Sequence, residues 1–139
     1  MDRAVADKAA MPADVAGAFA AFPPRVRKRL KALRSLVFRV AANTPGVGPL
    51  TETLKWGEPA YLTEATKSGS TVRLGWPRAA PDRAAVYFIC HTHLVSTFRG
   101  MWPETFRYDG DRAILLPLDG DIPDELALCI GEALTYHRR

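Results

Sequence analysis

Thr51-Glu52-Thr53-Leu54-Lys55-Trp56-Gly57-Glu58-Pro59-Ala60-Tyr61-Leu62 reads as strand, bend, strand. Leu54 and Trp56 share one side of an alternating run and Lys55 takes the other. Gly57 and Pro59 mark the bend, and a second strand resumes over residues 60–64. The hydrophobic period becomes two at this point, whereas upstream it is helical. Val15, Phe19 and Phe22 stand four and three apart, as on one helical face. Pro23 and Pro24 end that segment. Proline in a first turn gives up only an N–H that would have no intrahelical partner, so a second helix can start at once and run from Pro24 to Ala42. Its Val26, Leu30, Leu33, Val37 and Val40 make one apolar stripe, and Asn43-Thr44-Pro45-Gly46 stops it.

Downstream, Lys67-Ser68-Gly69-Ser70 forms a turn, after which Val72, Leu74 and Trp76 alternate with Thr71, Arg73 and Gly75. Residues 84–90 are apolar on both faces, as in a central strand. Leu94, Val95, Phe98 and Met101 return to helical spacing, with Thr92 as a candidate N-cap. Strands over 106–108 and 112–118 flank Asp109-Gly110-Asp111, whose Asp-Gly pair suits a tight hairpin. Pro123, Asp124 and Glu125 open a closing helix with Leu126, Cys129, Ile130, Ala133, Leu134 and His137 on one stripe. These elements predict a two-layer α+β domain. Its mostly antiparallel sheet has about five or six strands and is covered on one face by helices, so the other face is partly solvated or used for binding.

A chain of 139 residues accommodates one core and not two, so we expect a flexible arm over 1–12 and a single domain over 13–139. No apolar run approaches the roughly 20 residues that span a bilayer. Asp2, Arg3, Asp7 and Lys8 break up the first dozen residues, which argues against a secretory signal and for a cytoplasmic protein. Cys90 and Cys129 are too few for a disulfide framework and read as buried thiols.

Phe19-x-x-Phe22-Pro23 is followed by Val26, Leu30 and Leu33, then by Glu52-x-x-Lys55-Trp56-Gly57-Glu58-Pro59-Ala60-Tyr61. Tyr108-x-Gly110-x-Arg112-Ala113 and Ala133-Leu134-x-Tyr136-His137 complete the pattern. In this order the residues resemble the YdhG-like family of bacterial domains of unknown function (DUF 1801), over about residues 15 to 137. The resemblance implies an α+β fold in a bacterial cytoplasmic protein with no assigned activity. One branch of that family is described as frataxin-like, which implies an iron chaperone with iron held by clustered carboxylates. Asp109, Asp111, Asp119, Asp121, Asp124 and Glu125 are the oxygen donors available, and turns and a helix start explain them as well. Against iron stands the early helix, whose Arg25, Arg27, Lys28, Arg29, Lys31, Arg34 and Arg39 form an unrelieved row of cations that repels Fe2+.

The chain shows no nucleophile paired with a base, no metal-ligand spacing and no phosphate loop. In Cys90-His91-Thr92-His93, strand alternation sends Cys90 and His91 to opposite faces, so they share an ion only if the chain bends there, with His93 or His137 completing the site. His137 falls near a helix C-terminus, where the macrodipole favours it. Trp56, Glu58 and Tyr61 form the sharper candidate: rings and one carboxylate at a bend make a ligand pocket, with Arg73 and Arg112 as further ligand-binding residues. The competing reading has Trp56 in the core and Glu58 paired with Arg73 or Arg112. Arg27, Lys28, Lys31 and Arg34 on the basic helix suit nucleic-acid phosphates, although no recognition motif accompanies them. The sequence therefore leads to a non-enzymatic module for a small-molecule or protein partner, monomeric or homodimeric. A frataxin-like iron chaperone and nucleic-acid association are the alternatives.

Overall fold

The computed structural model describes residues 10–138, so the arm expected over 1–12 lies outside the described residues up to residue 9. At its described end, Met11 packs against the core. Helix α1 spans Ala13–Ala21 and α2 spans Pro24–Asn43, joined by extended Phe22 and by Pro23. Strands β1 (Thr51–Lys55), β2 (Glu58–Leu62), β3 (Val72–Gly75) and β4 (Arg83–Phe88) follow. Helix α3 (Leu94–Met101), strands β5 (Arg107–Asp109) and β6 (Ala113–Pro117) and helix α4 (Glu125–Leu134) complete the chain. The six strands form one antiparallel sheet in the order β1-β2-β3-β4-β6-β5. No helix among the described residues is long and apolar enough to cross a membrane.

All four helices contribute to the core on one side of the sheet. Helix α1 lies over β1 and β2, α2 over β3 and β4, and α4 packs on α2 and β3. The expected stripe of α2 is buried at Val26, Leu30, Leu33 and Val37, and meets Tyr61, Val72, Leu74, Val86, Ile114 and Leu116 of the sheet. Strand alternation sends Ala85, Tyr87, Ala113 and Leu115 to the other side, where they form a second small cluster without a helical residue. Among the described residues, Ala80 from the β3–β4 connection is the partly buried hydrophobic residue that packs on that cluster. Trp76 closes this connection by donating its indole N–H to the Pro81 carbonyl at 2.8 Å.

Several boundaries differ from expectation for identifiable reasons. The β1–β2 bend falls at Trp56-Gly57, where φ is 56° and 76°. Positive φ at both central residues defines the mirror-image turn that matches strand twist. Trp56 is therefore at the tip and does not share the face of Leu54. Pro59 lies within β2, and ladder pairing with β3 begins only at Ala60. The missing proline N–H thus costs no sheet hydrogen bond. Residues 90–92 leave the sheet as a 3-10 turn, because the Thr92 hydroxyl and N–H both donate to the Ile89 carbonyl. Cys90 is accordingly exposed rather than buried, while Cys129 is buried, which pushes its thiol up to about 12.

Helix α4 stops before His137, which is exposed in a terminal 3-10 turn and not on the apolar stripe. The 68–70 loop occupies the helix end. The Ser68 hydroxyl donates to the Leu134 carbonyl and the Ser70 N–H to that of Ala133, each at 2.8 Å. A Cβ on Gly69 would stand 2.2 Å from the Leu134 carbonyl carbon, so only glycine allows this approach.

Candidate functional site on the open face of the sheet

Strand β2 divides the predicted pocket between two faces. Tyr61 faces the helices and is fully buried, edge-on to Phe38 with ring centroids 5.6 Å apart. Its hydroxyl donates to Glu52 Oε2 at 2.9 Å, and Glu52 also accepts from Arg34 Nε at 2.6 Å and from its Nη2 at 2.8 Å. Burial, then the Glu52 charge, drive the Tyr61 hydroxyl pKa far up. This group ties α2 to β1 and β2, and Tyr61 does not line a pocket with Glu58. Trp56 joins neither face. It is 90% exposed at the hairpin tip, which corrects both the pocket and the core reading of this residue.

The structure does bring Glu58, Arg73 and Arg112 together on the open face. Glu58 Oε1 accepts from Arg73 Nε at 2.8 Å. The Arg73 guanidinium lies 4.7 Å from the centroid of the Tyr87 ring, and that of Arg112 approaches the same ring at 5.6 Å. Arg112 is held in turn by Asp109, to which its Nε and Nη2 donate at 3.2 and 3.1 Å. Each cation thus has a carboxylate, which lets two guanidiniums approach one ring.

Gly75 makes the arrangement possible. Continuing the β2–β3 register from Ala60 and Arg73 sets Glu58 opposite Gly75. A Cβ there would lie 2.0 Å from Glu58 Oε2 and 2.8 Å from the Tyr87 ring. The carboxylate therefore lies across the bare glycine. This partial burial raises the Glu58 carboxyl above its ordinary value, with Arg73 and then Arg112 pulling the other way. Tyr87 is also pushed up, first by burial and then by the Glu58 charge, so it carries its proton at neutral pH. Sequence reading missed Tyr87 and Gly75. A lone phenol in an otherwise apolar strand was the available signal, and register alone reveals its neighbours.

The basic helix is not a row of cations on one surface. Arg34 is buried with Glu52, and Arg29 is buried with its donors on the carbonyls of Leu118 and Gly120. Arg27 caps the end of α1 by donating to the carbonyls of Phe19, Ala20 and Phe22. Arg25 pairs with Asp119. Lys28 and Lys31 remain exposed on the helix. Among the carboxylates considered for iron, Asp109 pairs with Arg112, Asp111 with Arg99 and Asp119 with Arg25. Among the described residues, no three His, Cys, Asp or Glu side chains gather as a metal-ligand set. An apolar hollow of about 550 Å³ lies elsewhere, at the end of α2 between Phe38, Pro45, Pro49 and Leu50, and no charged side chain lines it.

Fold and site together define an α+β domain with a helix-covered sheet face and an open one bearing an arginine-tyrosine cluster. The fold is that of the DUF1801-family protein YdhG from Bacillus subtilis. Its crystal structure superposes with a TM-score of 0.61 at 18% identity, over 87% of this chain and 88% of that one. The likeness read from the Trp56-Gly57-x-Pro59-x-Tyr61 segment thus extends to the architecture. No protein-family model matches the chain, and neither does any curated protein sequence.

Proposed function

We propose that this protein is a non-catalytic binding domain whose helix-free sheet face receives a small-molecule partner. One observation carries the reading: Arg73 and Arg112 converge on Tyr87 over a patch of sheet that no helix covers. A half-buried polar cluster of this kind contributes little to folding stability, since partly exposed ion pairs are worth only about 0–1 kcal/mol. It does supply directional donors on a rigid support, which is what recognition needs. Guanidinium donors beside an aromatic ring suit the holding of a ligand.

The test is a ligand screen read by thermal stability. A ligand at a hundred times its Kd stabilises the folded state by about 2.7 kcal/mol. We expect hits on the native protein to be lost in Arg112→Ala and weakened in Glu58→Gln, with both variants folded. Trp56→Ala asks whether the hairpin tip reaches the ligand. Stabilisation that persists in both cluster variants would sink the reading.

A further inference from the structure

The two guanidiniums of the open-face cluster keep donors that no protein group among the described residues uses. Glu58 accepts the Arg73 Nε–H at Oε1 and lays Oε2 against Gly75. Asp109 is likewise turned to Arg112. By contrast, the terminal nitrogens of Arg73 meet no acceptor among the described residues, and neither do Nη1 of Arg112 and the hydroxyl of Tyr87. A guanidinium is always charged and presents its donors in a planar fork suited to carboxylate or phosphate. The wider face has the same sign. Lys55, Arg83 and Arg107 alternate onto this side of the sheet with Arg73, opposed by Glu58 and Asp109 on the strands and by Asp82, which stands 3.8 Å from Arg83.

We propose that the open face binds a small oxyanion, a carboxylate or a phosphate, between the guanidiniums of Arg73 and Arg112 and within reach of the Tyr87 hydroxyl. The ligand would take charge-assisted hydrogen bonds from the two cations and a neutral one from the phenol, while Glu58 and Asp109 hold the guanidiniums in place. The inference rests on the reading of this face as a binding surface and adds the ligand's chemistry.

The experiment follows the backbone amides and the arginine Nε–H signals by NMR in titrations with inorganic phosphate and, separately, succinate. Sodium chloride keeps the ionic strength constant. We expect saturable shifts of the Arg73 and Arg112 Nε–H groups and of the amides around Tyr87. A response to phosphate alone identifies a tetrahedral ligand, and a response to succinate alone a carboxylate. Binding should weaken by about tenfold or more in Arg112→Gln, which removes a charged donor, and by several-fold in Tyr87→Phe, which keeps the ring. Lys28→Gln should leave it unchanged. Shifts confined to α2 around Lys28 and Lys31, or affinity unaltered in Arg112→Gln, overturn the oxyanion assignment. If neutral or cationic ligands still perturb the open face in that case, the face remains a binding surface with different chemistry. If no ligand of any charge perturbs it, both readings fall.

Discussion

The two faces of strand β2 carry the same three residue types in different surroundings. Under the helices, Glu52 joins Arg34 and Tyr61, with the Arg34 guanidinium 4.8 Å from the Phe38 ring. On the open face, Glu58 joins Arg73, whose guanidinium lies 4.7 Å from the Tyr87 ring. The side chains of the first ion pair are 5% and 4% exposed, and those of the second 26% each. Burial makes the inner group costly to disrupt, because removing one partner strands a charge where water does not reach it. Solvent access makes the outer group cheap to rearrange and leaves donors available. The contrast shows that an arginine-glutamate-tyrosine set is structural or available for recognition according to its setting, not its composition.

The largest expected effect tests the inner group. Glu52→Ala leaves Arg34 without its carboxylate and the Tyr61 hydroxyl without its acceptor, and should lower unfolding stability by about 3–5 kcal/mol in urea titrations. The corresponding Glu58→Ala should cost about 1 kcal/mol or less. Equal losses would break the contrast.

Gly75→Ala comes next. Its Cβ must displace the Glu58 carboxylate and press on the Tyr87 ring, at a cost of roughly 1–3 kcal/mol. In the Glu58→Ala background most of this cost should vanish, and a double-mutant cycle measures the difference. Additive losses would show that Gly75 serves the fold independently of the cluster.

Tyrosine-to-phenylalanine substitutions sharpen the comparison further. Tyr61→Phe removes the hydrogen bond to Glu52 and should cost about 1–2 kcal/mol. Tyr87→Phe should stay within about 0.5 kcal/mol, since its hydroxyl has no protein acceptor among the described residues. Chemical denaturation of the two variants distinguishes them.

The smallest effect is one of pH. Burial raises the Glu58 carboxyl above its ordinary 4.5, so the folded protein holds this proton more tightly than the unfolded chain does. The stability it contributes is fully present below the unfolded value and is lost as pH rises through the folded one. The native protein should therefore gain stability over Glu58→Gln on acidification through that interval. Carbon-13 titration of the side-chain carboxyl gives the folded value directly, and a result at or below 4.5 would contradict the burial argument.

Much of the architecture was legible because local pattern and burial agree. The α2 stripe, the Asp109-Gly110 hairpin and the outline of β3 each follow from the period of apolar residues and from turn chemistry. The site was legible only in part. Glu58 and Tyr61 stand three apart, which on a continuous strand means opposite faces. The expected bend at Pro59 concealed this by seeming to allow both into one pocket. Arg73 and Arg112 were named as candidate partners of Glu58, but Tyr87, which lies between them, comes from β4 and is brought in by pairing across the sheet.

The sequence by itself determined the element types, their order and the antiparallel α+β layering, because these depend on periodicity and turn residues within short windows of chain. Only the tertiary structure decided which arginines are buried, which carboxylate each one meets and which tyrosine faces the open side of the sheet. Those outcomes depend on strand register and on which sheet face the helices cover. Both are set by contacts between residues distant in sequence, and a shift of one residue in a strand exchanges its buried and exposed sides.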